Sequence, residues 1–269
     1  KAVYKQLPTS FSFSQISAFV QCPLEYKYRY YLRLPLPGNH HMSFGSTIHS
    51  VLQKYLEEYM RLTSAPQQDL FTKETVIDLP DEQLLFDLYE KEWIDDWYQD
   101  KKQKESYRER GNEILQKFFL STKAAHASKQ LQPSLIESAF SLKLGKKGQY
   151  QFNGKIDRAD SGELGLKVID YKTSEKVPAK AAGADLDQLR IYQWALDEYF
   201  HQPVESLQYW YLHPNETVQV PMAKSEDIKS LKENLLSTIE EIRAAVKYDK
   251  FAELHKSAKR HNCNHAGSL

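Results

Sequence analysis

Two stretches of the sequence, GKIDR at residues 154–158 and VIDYKT at residues 168–173, place charged groups where a buried strand should be apolar. Turn-forming residues separate the two stretches, and apolar residues alternate with polar ones around them. This pattern predicts a β-hairpin that carries Asp157 and Asp170 on neighbouring strands. Because side chains alternate along a strand, Lys172 shares a face with Asp170. We therefore expect two carboxylates and an ammonium group to converge.

Two carboxylates beside a lysine suit the metal-assisted hydrolysis of a phosphodiester. Mg²⁺ prefers oxygen ligands, and it is commonly held by one or two carboxylates together with water and substrate phosphate. The lysine can orient the attacking hydroxide or offset negative charge in the transition state. The alternative is that Asp170 and Lys172 form an ordinary surface ion pair on a strand. The triplet alone does not decide between these interpretations.

The composition describes a globular protein without a global signal for nucleic acid. Hydrophobic residues make up 41% of the 269 residues, which is enough for a packed core. The 36 basic residues balance the 36 acidic ones, so a DNA path would have to use local basic clusters. Two distant cysteines argue against a disulfide scaffold, and no apolar run is long enough to span a membrane. We expect a cytoplasmic protein with no membrane partner.

Further motifs occur along the chain at separate points. They are Ser14-x-x-Ser17-x-Phe19-x-x-Cys22-Pro23-x-x-Tyr26, Gly45-x-x-x-His49 and Gln188-x-x-x-Tyr192, on either side of the two stretches quoted above. In this order the residues resemble the PD-(D/E)XK nuclease superfamily. More narrowly, they resemble the RecB-type nuclease domain of helicase-nuclease proteins and CRISPR adaptation exonucleases. The resemblance spans roughly residues 12–212.

The resemblance implies an α/β, restriction-endonuclease-like fold with a mixed central sheet flanked by helices. We expect a single domain over residues 1–269, with a helical insertion at 63–130 before the core strands. Helical periodicity places two amphipathic helices in that insertion, at roughly 81–99 and 104–127. The chain opens on Lys1 without an initiator methionine, so we expect a domain excised from a larger helicase-nuclease polypeptide.

The resemblance also assigns a metal site. It implies that His49, Asp157, Asp170 and the backbone carbonyl of Tyr171 bind Mg²⁺ or Mn²⁺, while Lys172 positions the nucleophilic water. A lone histidine on a helix is more often structural, and only the family pattern makes His49 a candidate ligand. Glu137 lies near the start of a predicted strand at 135–144, where the resembled family often has a glutamate, and it is a possible further site residue.

A second group of residues is assigned to DNA. Gln188 and Tyr192 are four residues apart, which puts both on one face of a predicted helix. The resemblance implies that this pair contacts the DNA strand, and that Arg158 contacts DNA as well. The alternative is that Gln188 and Tyr192 belong to an ordinary amphipathic helix.

Together these observations predict a metal-dependent DNA nuclease. The resemblance favours an exonuclease that acts on single-stranded DNA ends in DNA repair or recombination, with a helicase domain or subunit as its partner. One alternative is a catalytically silent nuclease-fold module that only binds DNA or serves as a scaffold in a helicase complex. Another is an RNA-processing enzyme with the same metal site.

The resemblance suggests an iron-sulfur cluster as a cofactor, but the cysteines of this sequence do not support one. Many relatives hold such a cluster with one early cysteine and three late ones spaced Cys-x₂-Cys-x₅-Cys. Cys22 lies where the early ligand would be, but Cys263 is the single late cysteine. No register of the spacing finds a second late thiolate, although His261 and His265 lie close to Cys263. We therefore expect a colourless protein that folds without iron.

Overall fold

The computed structural model describes residues 6–34, 38–64, 67–68, 75–76, 79–179 and 183–257. Its strands are β1 (Ser10–Ser12), β2 (Gln67–Gln68), β3 (Thr75–Val76), β4 (Pro133–Leu144), β5 (Tyr150–Ser161), β6 (Leu166–Lys172), β7 (Val204–Tyr211) and β8 (Glu216–Val220). Its helices are α1 (Phe13–Gln21), α2 (Pro23–Tyr26), α3 (His40–Ser64), α4 (Glu82–Glu92), α5 (Lys101–Ala127), α6 (Gly183–Glu198), α7 (Ser225–Tyr248) and α8 (Phe251–Ser257), with a π-helical turn at Lys27–Tyr31. None of the helices in these ranges is long and apolar enough to cross a membrane.

The central sheet is mixed. Within the described residues it has six strands. Strand β5 pairs with β4 along one edge and with β1 and β6 at separate points of the other edge, and β7 and β8 follow β6. Strands β6 and β7 run parallel and are joined through α6, whereas the β4–β5, β5–β6 and β7–β8 pairs are antiparallel. A mixed sheet flanked by helices confirms the predicted α/β fold class.

Two hydrophobic cores lie on the two faces of the sheet. Val168 and Tyr209 belong to the core that packs against α1, α6 and α7, and both are fully buried. Ile169 and Tyr171 belong to the other core, which packs against α3, α4 and α5. Successive side chains of β6 therefore pack alternately into the two cores. By the same alternation, Asp170 shares the face of Val168.

Strands β5 and β6 form the predicted hairpin, but their pairing is short. It runs from Arg158↔Ile169 to Ser161↔Leu166. On the same edge of β5, β1 pairs only with residues 151–153. Among the described residues no strand pairs with this edge at residues 154–157, so the edge has a gap between β1 and β6.

The helices of the predicted insertion differ from the expectation at their junction. Helix α4 ends at Glu92 instead of continuing to residue 99, because the backbone N–H of Ile94 donates to the Thr47 hydroxyl of α3 at 3.1 Å. Asp100 then caps α5 by accepting from the Gln103 N–H at 2.7 Å. Helix α4 is thus shorter than its sequence periodicity predicts, because the residues after it contact α3. The assignment of residues 1–269 to one domain stays a prediction.

A buried ion pair fixes the end of β5. The Arg158 guanidinium donates to both carboxylate oxygens of Asp160, at 2.6 and 2.5 Å, and lies 3.3 Å from the Tyr171 hydroxyl. Arg158 and Asp160 are only 4% and 5% exposed. Two-pronged geometry of this kind satisfies both ions without water.

We expect Asp160→Ala to lower the free energy of unfolding by about 3–5 kcal/mol, because it leaves the Arg158 guanidinium buried without its carboxylate. Urea unfolding followed by circular dichroism measures the change. The control is Glu58→Ala, which breaks an exposed ion pair with Arg61 in α3 and should leave the urea midpoint close to that of the parent. Equal midpoints for the two variants would contradict a structural role for the buried pair.

Candidate active site

The gap in the pairing of β5 positions Asp157. This residue lies just before Arg158, which makes the last backbone pair with β6. In place of a continued ladder, Asp157 Oδ2 accepts the backbone N–H of Tyr171 at 3.0 Å. The Asp157 carboxylate is therefore held against β6, close to Asp170, the residue before Tyr171. The hairpin brings the two aspartates to one place, as the sequence predicts.

His49 reaches the gap from α3. Its Nε2 lies 3.3 Å from the Tyr171 carbonyl oxygen, and its Nδ1 lies 3.5 Å from both Glu137 Oε1 and Asp157 Oδ2. About 28% of the side chain is exposed, so solvent and ligands can reach the ring. The imidazole thus connects β4, β5 and β6.

Glu137 is the possible site residue that the structure brings into the cluster. Its backbone has φ of 42°, a left-handed conformation inside β4 that costs a non-glycine residue about 1–2 kcal/mol. Its side chain is 9% exposed and lies against both His49 and Lys155. Backbone strain is common at functional sites, where the surrounding structure holds it in place.

Lys155 is a site residue that the sequence interpretation missed. Its Nζ lies 2.6 Å from Glu137 Oε2, so this carboxylate has a cation on each side. The signal was present in the sequence, since Lys155 precedes Asp157 by two positions in the same strand. Its partner could not be read from sequence, because Glu137 comes from another strand.

Asp170 is almost completely buried, with 1% of its surface exposed. The Lys172 ammonium lies 2.7 Å from its Oδ2, but neither carboxylate oxygen accepts a well-aligned hydrogen bond from the described residues. Burying a carboxylate in this way is costly unless another group completes its coordination. Asp170 is therefore a candidate metal ligand, and this role stays a prediction.

The Lys172 ammonium, which is paired with Asp170, begins a chain of hydrogen bonds to α6. Lys172 Nζ donates to Gln188 Oε1 at 3.0 Å, and Gln188 Nε2 donates to the Tyr192 hydroxyl at 2.9 Å. Gln188 and Tyr192 thus share the face of α6 that is turned toward the cluster, as their spacing predicts. Their contact with DNA stays a prediction.

The electrostatics of the cluster favour positive charge at its centre. Burial opposes the charged form of His49, but the hydrogen bond with Glu137 and the charges of Asp157 and Asp170 outweigh it and raise the pKa of His49 to about 9. Burial and the neighbouring charge of Asp170 raise the pKa of Asp157 to about 7. Burial would raise the pKa of Glu137 too, but hydrogen bonds with His49 and Lys155 lower it. Without metal, an imidazolium stabilises these carboxylates at neutral pH.

The donor set fits a divalent metal. Within the described residues, His49, Glu137 and Asp157 offer ligand atoms that all lie within 4.8 Å of one another. This group does not include Asp170, whose oxygens accept no well-aligned hydrogen bond from the described residues although the Lys172 ammonium lies 2.7 Å from Oδ2. The Tyr171 carbonyl oxygen adds a further oxygen beside His49. Carboxylate and carbonyl oxygens suit Mg²⁺ and Mn²⁺, and an imidazole in the set favours Mn²⁺.

Arg158 does not belong to this group, and its contact with DNA stays a prediction. The side chain is 4% exposed and both ends of its guanidinium are engaged with Asp160 and Tyr171. Alternation along β5 turns it away from the face of Asp157. Cys263, His261 and His265 lie outside the described residues, so the expectation of no iron-sulfur cluster stays a prediction.

Comparison with known proteins agrees with this geometry. The family model of the PD-(D/E)XK nuclease superfamily matches residues 10–266. The chain belongs to the PD-(D/E)XK nuclease superfamily. Nucleases of this superfamily use divalent metals, and the sheet flanked by helices agrees with their restriction-endonuclease-like fold. The narrower resemblance to RecB-type nucleases stays a prediction.

Two further comparisons give less information about this nuclease-superfamily chain. No curated protein matches it. The crystal structure of SSO0001 matches with 14% sequence identity and a TM-score of 0.37, over 88% of this chain and 78% of that one. A similarity this distant carries no argument about function.

Metal binding to this nuclease-superfamily site should release a proton. His49, with a pKa of about 9, is protonated at neutral pH in the metal-free protein, and a metal that takes its ring nitrogen must displace that proton. The deprotonated fraction rises tenfold per pH unit below the pKa. We therefore expect the apparent Mn²⁺ affinity to rise at least about tenfold between about pH 7 and pH 8, because Asp157, another proposed ligand with a pKa of about 7, also loses its proton over this range.

Isothermal titration calorimetry in two buffers with different ionisation enthalpies measures both the affinity and the proton count. His49→Gln should bind Mn²⁺ more weakly and lose most of this pH dependence. His41→Gln is the control, because His41 lies on the same helix and is largely exposed. Its partial burial and the neighbouring His40 lower its pKa, in contrast to that of His49. The assignment of His49 as a ligand fails if His49→Gln keeps the pH dependence of the parent.

Proposed function

We propose that this protein is a metal-dependent deoxyribonuclease that hydrolyses phosphodiester bonds and acts as an exonuclease on single-stranded DNA ends. The observation that carries the proposal is the convergence of acidic groups and a lysine at one gap in the sheet. The residues are His49, Glu137, Asp157, Asp170 and Lys172. Membership of a nuclease superfamily supports hydrolysis of nucleic acid, and the motif resemblance supports DNA ends as the substrate.

In this proposal His49, Glu137, Asp157, Asp170 and the Tyr171 carbonyl hold Mg²⁺ or Mn²⁺. When bound, such a metal supplies an activated water and neutralises charge on the phosphate. The chain's own part is to fix these ligands on three strands and a helix before the substrate arrives. Rigid elements hold a site more accurately than loops do.

Lys172 has a separate role from the ligands. Its ammonium lies between Asp170 and Gln188, so it is oriented by an acceptor on each side. From there it can hold the attacking water or stabilise negative charge that develops on the phosphate. Gln188 and Tyr192 continue the chain of hydrogen bonds away from the acidic groups and are placed to contact the substrate strand.

We extend the proposal to the biological setting on the resemblance alone. The motif order supports a role in DNA repair or recombination beside a helicase domain or subunit, in the cytoplasm. The alternative is a module that binds DNA without cleaving it. Such a module needs neither the buried acids nor the lysine, and all of them are present in this protein.

Cleavage assays separate these possibilities. Labelled single-stranded DNA, duplex DNA and RNA are incubated with Mn²⁺, Mg²⁺ or EDTA, and the products are resolved by length. We expect the fastest cleavage for single-stranded DNA with Mn²⁺, a ladder that shortens from one end, and none with EDTA. Binding without cleavage would favour the silent module, and faster cleavage of RNA would favour an RNA-processing enzyme.

Asp170→Asn should lower the cleavage rate more than ~100-fold, since even the outer-shell partners of metal ligands contribute about 10- to 100-fold. The change removes a charged oxygen ligand but keeps the side-chain shape, so the thermal midpoint should stay close to that of the parent. The rate is measured in single-turnover assays, and Asp197→Asn, an exposed position on α6, is the control. Metal-dependent cleavage at the parent rate by Asp170→Asn would remove the basis of the proposal.

Lys172→Met should lower the rate of the chemical step by at least ~100-fold, because it removes the group that acts on the nucleophile or the developing charge. Calorimetric Mn²⁺ affinity should not fall, since Lys172 is not a ligand. Lys167→Met is the control, because this lysine lies in the same strand but pairs with Glu205. Loss of metal binding with normal single-turnover cleavage would reverse the roles given to Lys172 and the acids.

A further inference from the structure

A cavity of ≈ 210 Å³ adjoins the active site on the side of α1. It lies between the start of α1, strands β4 and β5, and helix α6. Lys155, Gln188 and Tyr192 line both the cavity and the active site. A group bound in the cavity would therefore lie next to the phosphate that the active site attacks.

The floor of the cavity is aromatic, and a glycine makes it so. Phe140 of β4 pairs with Gly154 of β5. A Cβ atom on Gly154 would lie 2.3 Å from the Phe140 ring, so the ring can rest on the strand only because residue 154 has no side chain. Tyr192 meets the Phe140 ring edge to face, with ring centroids 6.2 Å apart. Phe13 of α1 also lines the cavity, which gives it several flat apolar surfaces.

Polar groups that could bind the edge of a planar ring also line the cavity. Asn153 donates through Nδ2 to Ser10 Oγ at 2.8 Å, which leaves its Oδ1 to accept a hydrogen bond. Tyr192 accepts from Gln188, and no acceptor for its own hydroxyl proton lies among the described residues. Lys155 is the one charged residue that lines the cavity in the described part of the chain, and no carboxylate does.

We propose that this cavity, the α1–α6 pocket, binds an unstacked nucleobase of the nucleotide next to the scissile phosphate. Aromatic surfaces with a few amide and hydroxyl groups are the chemistry by which proteins hold single-stranded bases. The absence of acidic groups from the described lining keeps the pocket compatible with a polyanion. A base in a duplex would first have to leave its stack, so the pocket selects single-stranded or frayed ends. This inference rests on the proposed nuclease function.

The test uses a series of single-stranded oligonucleotides in which each member lacks one base at a different position. Cleavage of the series with Mn²⁺ is measured for the parent, and binding of the series is measured by fluorescence anisotropy with EDTA. We expect one abasic position, next to the cleaved bond, to weaken substrate binding about tenfold, in line with the loss of one stacked base. Abasic sites at distant positions should have little effect.

Two pocket variants and one control complete the design. Phe13→Ala should bind the intact oligonucleotide about tenfold more weakly and lose nothing further at the sensitive abasic position. Ser14→Trp should block the pocket without disturbing the core, because Ser14 is exposed at the start of α1. Val20→Trp is the matched control, because it is exposed on the same helix and does not line the pocket. Metal affinity should be unchanged in all three.

The outcomes separate this inference from the nuclease proposal. If the parent does not cleave, the nuclease proposal fails and the pocket is judged from the anisotropy series alone. If all abasic positions behave alike, or if Ser14→Trp behaves like Val20→Trp, the nucleobase pocket is overturned while cleavage by the parent still supports the nuclease. If removal of a terminal phosphate, rather than of a base, weakens binding in a Ser14-dependent way, the cavity is a phosphate site and the proposal is also overturned.

Discussion

Negative charge gathered at one gap in a β-sheet is the constraint on which this structure depends. Three carboxylates from three strands share a mostly buried site, and they repel one another unless cations balance them. The balancing cations are His49 of α3, Lys155 of β5 and Lys172 of β6. The site is therefore a neutralised array before any metal binds. If His49 is a ligand, as we propose, a metal that enters the site replaces its proton, and metal occupancy then depends on pH.

Strand β6, which carries Asp170, has the acidic cluster on one face and its structural support on the other. Tyr171 offers its backbone to the site, where its N–H binds Asp157 and its carbonyl lies beside His49. Its side chain points the other way and meets the buried pair of Arg158 and Asp160. Tyr171 is thus held by the acidic cluster through its backbone and by the Arg158–Asp160 pair through its side chain. Errors in the support would displace the ligands, which a metal site tolerates poorly.

The proposed active site contains two features that are unfavourable by the usual rules of local structure. Glu137 adopts a left-handed backbone inside a strand, and Asp170 is buried without well-aligned hydrogen-bond donors among the described residues. Each feature costs free energy, and the surrounding sheet and the two cores supply the stability that maintains it. Both features lie in the cluster that we propose as the active site. Natural sequences depart from local consistency mainly at such places.

The sequence by itself determined the features that depend on neighbours in the chain. Alternation predicted the β5–β6 hairpin with Asp170 and Lys172 on one face, and a spacing of four predicted a common face for Gln188 and Tyr192. Motif order also identified the family. These are short-range properties of strands and helices, with periods of two and 3.6 residues.

Only the tertiary structure decided the features that depend on distant residues. It placed Lys155 beside Glu137, buried Arg158 against Asp160, and ended α4 early, where the Ile94 N–H donates to Thr47 of α3. It also formed the α1–α6 pocket from four separate segments. Periodicity assigns a side chain to a face but does not say what packs on that face. Partners that lie far apart in the chain meet only when the sheet and its two helical layers assemble.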